Sequence, residues 1–111
     1  MHPLLPHHRL KAYGVAVQLL EAVRAARIRD AHLRDQAMRS AKSACLNAAE
    51  GAGRVTRADK GRAFTIARGE ACEAAAAVEV AVRAGDAEAG SLGPVLEHAN
   101  AFIAMMTALI R

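Results

Sequence analysis

Residues 56–86, TRADKGRAFTIARGEACEAAAAVEVAVRAGD, decide the fold class. Phe64, Ala67, Ala71, Ala74, Val78 and Ala81 recur at steps of three and four, the spacing that gathers apolar side chains on one helix face. Thr56 followed by Asp59 resembles a capping box, in which a hydroxyl and an acidic side chain satisfy the first free amides of a helix. A helix is therefore predicted from Arg57 to about Ala84, with Gly85-Asp86 ending it. At 1.5 Å per residue it is roughly 40 Å long.

The same period extends to both sides. Upstream, Leu33 to Ala49 repeats it through Ala37, Met38, Ala41, Ala44, Cys45 and Ala48, and Gly51 and Gly53 offer residues able to take positive φ as a C-cap. Ile28 to Ala31 reads as a short charged connection. Before it, Leu10, Tyr13, Val17 and Leu20 share a face of a helix running from Leu10 to about Arg27. Downstream of a Gly-rich link, Ala87 to Gly93, Pro94 suits a first helical turn. Leu92, Leu96, Ala99, Ile103, Met106 and Ile110 then step by four and three as the seam of a last helix. Short connections make sequential helices antiparallel neighbours. The expectation is an all-α chain: an antiparallel up-down-up-down four-helix bundle over residues 10–111, preceded by an N-terminal tail, residues 1–9.

Composition agrees with that reading. A chain of 111 residues fits one domain. Hydrophobic residues make up 53%, but aromatics only 3%, and Ala alone supplies 28 positions, so the apolar mass comes in small, helix-favouring pieces. The cysteines, Cys45 and Cys72, lie among alanines in helical stretches without metal-ligand spacing, which reads as buried free thiols. The start of the chain is too short in apolar residues for a signal peptide. The most apolar stretch, Val95 to Ile110, is interrupted by Glu97, His98 and Asn100, so no membrane span and a cytoplasmic location are expected.

Catalytic and metal-binding patterns are weak. Glu-x-x-His pairs, which di-metal bundles project inward, do not occur: Glu97 precedes Asn100, Glu70 precedes Glu73, and Glu50 precedes Gly53. His2, His7, His8, His32 and His98 lack ligand spacing and read as surface residues. Ser40, Ser43 and Ser91 have no nearby His and acid in sequence. The Gly51-Ala52-Gly53-Arg54 turn lacks the Gly-Lys-Ser/Thr ending of a P-loop. No catalytic residue, cofactor or metal site is expected, and the chain reads as a non-enzyme.

Three constellations remain. Ser40, Ser43, Asn47 and Glu50 share a face of the second helix, as Glu70 and Glu73 do on the third; together with Arg54 they form a candidate polar cluster, structural or ligand-binding. Val95, Phe102 and Leu109 form a second apolar seam on the last helix. A bundle helix needs one apolar face for its own core, so this seam is a candidate oligomer interface unless the core takes both. Charge supplies the third. Residues 1–62 hold 12 Lys/Arg against 5 Asp/Glu, a net of +7, whereas residues 63–111 hold 3 against 6, a net of −3. Arg24, Arg27, Arg29 and Arg34 gather at one end of the expected bundle, Arg54, Arg57, Lys60 and Arg62 at the other, with Arg39 and Lys42 between them. That path is a candidate contact for nucleic-acid phosphates, the alternative being a solvated surface.

The stretch from Asn47-Ala48-Ala49-Glu50-Gly51-Ala52-Gly53-Arg54 through the Phe64 to Glu73 run resembles the four-helix-bundle family encoded in 23S rRNA intervening sequences. Leu10 to Tyr13 is similar to the opening of that family, so the resemblance spans about Leu10 to Ile110. Cys45 stands where many members have proline, which predicts a straighter second helix, and Glu70 replaces a common serine. The resemblance implies a homo-oligomer, with a pentameric ring as precedent, and no catalytic activity. A related branch, the accessory proteins of diversity-generating retroelements, is similar in fold and binds a reverse transcriptase and nucleic acid through basic surface, a task that the resemblance does not by itself imply for this chain; the basic path above keeps RNA or a nucleic-acid-handling protein as a candidate partner. The functional expectation is a homo-oligomeric interaction scaffold, with RNA binding as the alternative.

Overall fold

Helices form where the apolar period is strongest, and their ends are set by a few polar and glycine residues. The computed structural model describes residues 4–111; Met1, His2 and Pro3 lie outside the described residues. Helix α1 spans Lys11–Ala25, α2 Ala31–Gly53, α3 Arg57–Arg83 and α4 Leu92–Ile110. Single 3-10 turns at Pro6–Arg9 and Ala89–Ser91 precede α1 and α4, and no strand occurs among the described residues. Part of the expected tail is thus ordered: His7 meets the ring of Tyr13 edge-on at 4.7 Å between centroids.

Thr56 caps α3, its hydroxyl accepting from the Asp59 amide at 3.1 Å, while Asp59 places a negative charge at the positive end of the helix dipole. At the other end Gly85 takes φ +82°. The Asp86 amide reaches the Ala81 carbonyl at 2.7 Å and the Gly85 amide reaches that of Val82 at 3.1 Å, which closes α3 in a Schellman motif. Helix α2 starts earlier than the sequence suggests. Asp30 accepts from the Leu33 amide at 2.9 Å, so Ala31 is already helical. Arg27, between α1 and α2, holds φ at +47°, a conformation that disfavours any residue with a Cβ.

The glycine reading at the end of α2 needs correction. Helix α2 continues without interruption past Cys45 and Gly51 to Gly53, and the cap is Arg54 in an extended conformation, not a left-handed glycine. Gly51 is required by packing: a Cβ there would stand 2.5 Å from the Phe64 ring. Nothing lies within 4 Å of a Cβ at Gly53.

The core is layered by residue size. Helix α2 packs most extensively on α3, through Ala37, Ala41, Ala44 and Ala48 against Ala67, Ala71, Ala74 and Val78, all fully buried. The other half of the core holds Leu19 and Val23 of α1 with Val95, Phe102 and Met106 of α4. Helix α4 contacts α3 on one flank and α1 on the other, so its inward direction falls between the two seams seen in the sequence.

This geometry overturns part of the interface expectation. Val95 and Phe102 are completely buried within the single chain, and with Ala99 and Met106 they are the inward stripe of α4. Of the three residues expected to face a partner, only Leu109 is exposed, at 44%. Leu96, expected to face inward, is 37% exposed. By length and hydropathy Ala89–Ile110 would also pass as a membrane span, contrary to the sequence expectation. Cys45 is buried, but Cys72, expected to be so as well, is exposed.

Candidate functional site

The ten candidate phosphate-binding cations divide into two groups. Five are engaged by the fold itself, chiefly at helix ends, where unpaired carbonyls attract donors. Arg29 donates to the Gly85 carbonyl at 2.6 Å and lies 3.6 Å from Glu88. Arg34 donates to the Ile28 carbonyl at 3.3 Å. Lys60 Nζ reaches the carbonyls of Gly51 and Ala52, at 3.2 and 3.1 Å, and so closes the end of α2. Arg57 donates to the Arg111 carbonyl. Arg54 pairs with Glu50 at 3.0 Å, one turn back on the helix and half exposed on both sides. Arg24, Arg27, Arg39, Lys42 and Arg62 are exposed and make no hydrogen bond or ion pair among the described residues.

Three of those five flank two adjoining depressions. A groove of ≈ 460 Å³ runs over the outer face of α2, lined by Asp35, Met38, Arg39, Lys42, Leu46 and Asn47, among others. A second, of ≈ 390 Å³, lies between α1 and α2 and shares Met38 and Lys42 with the first, adding Leu20, Glu21 and Arg24. Leu20, Met38 and Leu46 supply the apolar part of this lining. Leu46 is 70% exposed although it sits in the middle of a 23-residue helix. A smaller cleft of ≈ 90 Å³ beside the α2–α3 turn is lined by Glu50, Arg54, Asp59, Arg62, Ala63 and Ile66. There the two arginines face two carboxylates.

The candidate polar cluster does not assemble as one site. Asn47 turns back on its own helix, donating to the Ser43 carbonyl at 2.9 Å and to the Ser43 hydroxyl at 3.0 Å. Glu50 takes Arg54. Between α2 and α3, Ser40 donates to Glu73 Oε2 at 2.5 Å. Ser40 is a buried polar residue in an alanine interface, and this bond satisfies it. The Ser40 hydroxyl is the main reason the Glu73 carboxyl lies below the usual carboxylate range, helped by Glu70, Gln36 and the charge of Arg39. Burial pushes the Cys45 thiol up, away from the reactive thiolate. Among the described residues no three of His, Cys, Asp and Glu converge as a metal site would require.

Sequence reasoning missed Leu46 as a surface feature, an isolated apolar residue between Cys45 and Asn47; Met38, read as part of the inward stripe, does pack against the core while its outer surface lines the groove. The available signal was angular. Leu46 lies one turn beyond Lys42 and two beyond Arg39, on the charged side of α2, where an exposed leucine has no packing role.

A family model described as 23S rRNA-intervening sequence protein matches residues 9–108. No curated protein matches the chain.

Proposed function

The chain belongs to the 23S rRNA-intervening sequence protein family, and on that premise we propose that it is a non-enzymatic, self-associating interaction protein whose four helices alternate in direction. Helix-end contacts support the alternation. Arg29 at the start of α2 meets Gly85 beyond the end of α3, and Arg57 at the start of α3 meets Arg111 beyond the end of α4. Leu10 and Lys11 at the start of α1 line a cleft with Met105 and Leu109 near the end of α4.

The observation that carries self-association is the outward face of α4. From Ala99 to Ile110 the chain carries no charged residue, yet only Ala99, Phe102 and Met106 of that stretch are buried. Ala101, Ala104, Ala108 and Leu109 face outward, and Leu109 and Met105 line the ≈ 270 Å³ apolar cleft against Leu10. An uncharged ridge of this kind beside a hydrophobic cleft is the surface a second subunit would cover. The pentameric ring implied by the resemblance is one closed form it would allow.

Light scattering tests this directly. The protein should run at a mass several times that of one chain at micromolar concentration, and Ala104→Glu with Leu109→Glu should reduce it to a monomer of unchanged helicity. A monomeric wild type, or an oligomer indifferent to those two charges, rejects the proposal. RNA binding through the full set of ten cations is the weaker reading. Half of them are held by helix-end carbonyls or a carboxylate, and Glu21 and Asp35 stand beside three of the others.

A further inference from the structure

We propose that the groove over α1 and the outer face of α2 is the docking site for an acidic amphipathic α-helix from a partner protein. The floor comes first. Leu46 stands exposed at one end of the depression on α2, while Met38 and, on α1, Leu20 are half-buried against the core and show only their outer surfaces to it. Leucine exposed to 70% in mid-helix contributes nothing to the core, whereas in a groove it is an anchor for a second apolar stripe.

The rim then selects the partner. Arg24, Arg39 and Lys42 border the floor without partners of their own among the described residues, and they outnumber Glu21 and Asp35. From Asp35 to Asn47 the groove follows α2 for about 18 Å, three helical turns, the length over which i, i+4 and i+7 anchors engage. A helix with leucines on one stripe and carboxylates beside it satisfies floor and rim together. Nucleic acid satisfies only part of the rim. Its phosphates would meet Glu21 and Asp35, its backbone has no use for Leu46 and Met38, and no aromatic side chain lines the groove for base stacking. Another copy of the chain docking by this same face would oppose Arg39 and Lys42 to like charges.

The inference rests on the scaffold reading only in requiring this face to stay open while α4 makes the subunit contact. The probe is a fluorescein-labelled peptide of about 18 residues, with leucines on one helical stripe and glutamates flanking it. Fluorescence anisotropy should show it binding the full-length protein at least about tenfold more tightly than two controls, one with the leucines moved off the stripe and one with lysines for glutamates. Leu46→Glu, and separately Arg39→Glu with Lys42→Glu, should each weaken binding by about tenfold or more with helicity unchanged. Leu46→Ala serves if Leu46→Glu unfolds, and Ala104→Glu with Leu109→Glu should leave peptide affinity intact. Three results overturn the proposal. The controls bind as well as the probe; or single-stranded RNA displaces the peptide and loses affinity with the same substitutions; or Leu46→Glu lowers the oligomer mass, which would place a second copy in the groove.

Discussion

The α2–α3 contact and the seat of α4 fill one core by opposite means. Across α2 and α3 most buried side chains are alanine, with Phe64 and Val78 the large exceptions, so the helices gain stability from close backbone approach and many small contacts. Around α4 the fill is carried by a few large groups, Phe102, Met106 and Val95, packed with Leu19. An alanine zipper is tight but has few features to fix its register. A large-residue seat is specific, but it concentrates stability in single positions. The difference teaches where each half is vulnerable: α4 to deletion, and α2–α3 to addition.

Deletion gives the largest expected effect. Phe102→Ala removes the largest fully buried side chain, and a buried Phe→Ala change costs about 3–5 kcal/mol, because lost transfer energy is joined by the cavity left behind. Urea denaturation measures it. A loss below about 1.5 kcal/mol would mean that α4 collapses into the space and that the two halves are not different in kind.

Addition comes next, and its sign is diagnostic. By intrinsic propensity a helical glycine changed to alanine gains up to about 1 kcal/mol, and Gly53→Ala should do so because its surroundings are open. Gly51→Ala should instead lose about 1–3 kcal/mol, since the new methyl would overlap the buried Phe64 ring. Phe64→Leu in the same chain should recover part of the loss, a coupling that a double-mutant cycle reads out. If both glycine changes stabilise equally, the α2–α3 interface is looser than its geometry states.

The same contrast explains what was legible beforehand. Alanine and its period made the four helices readable, and Thr56 with Asp59 and Gly85 with Asp86 marked both ends of α3, because these signals are local. Gly51 was misread as a helix end. Its constraint is a ring thirteen residues away in sequence, and nothing near Gly51 announces it. Val95 and Phe102 were placed on the wrong side of α4 for a related reason. When a helix is apolar nearly all round, period alone cannot choose the inward stripe, and the choice is made by where α1 and α3 stand. The ten cations were visible as charges, but their division into helix-end donors and unpartnered side chains depends on contacts such as Lys60 on Gly51 and Arg29 on Gly85. The groove was the least legible feature, since Leu46 is ordinary in sequence and unusual only in its exposure.

The smallest effect sharpens the comparison most, because it concerns how the alanine side finds its register. Ser40 and Glu73 form a polar link across α2 and α3, and the bond from the hydroxyl favours the ionised carboxylate. A carboxyl whose pKa is depressed by folding contributes stability that is fully present above its unfolded value, about 4.3 for glutamate, and is lost as pH falls through the folded value. Glu73→Gln should therefore be less stable than wild type near neutral pH, by less than either packing change above, with the gap closing as pH drops below about 4.3. Ser40→Ala should show the same convergence, because it removes the donor that lowers the Glu73 pKa. Thermal unfolding followed by circular dichroism from neutral to acid pH measures both. If the variants track wild type in parallel down the acid limb, the link carries no pH-dependent stability, and the alanine interface is aligned by shape alone.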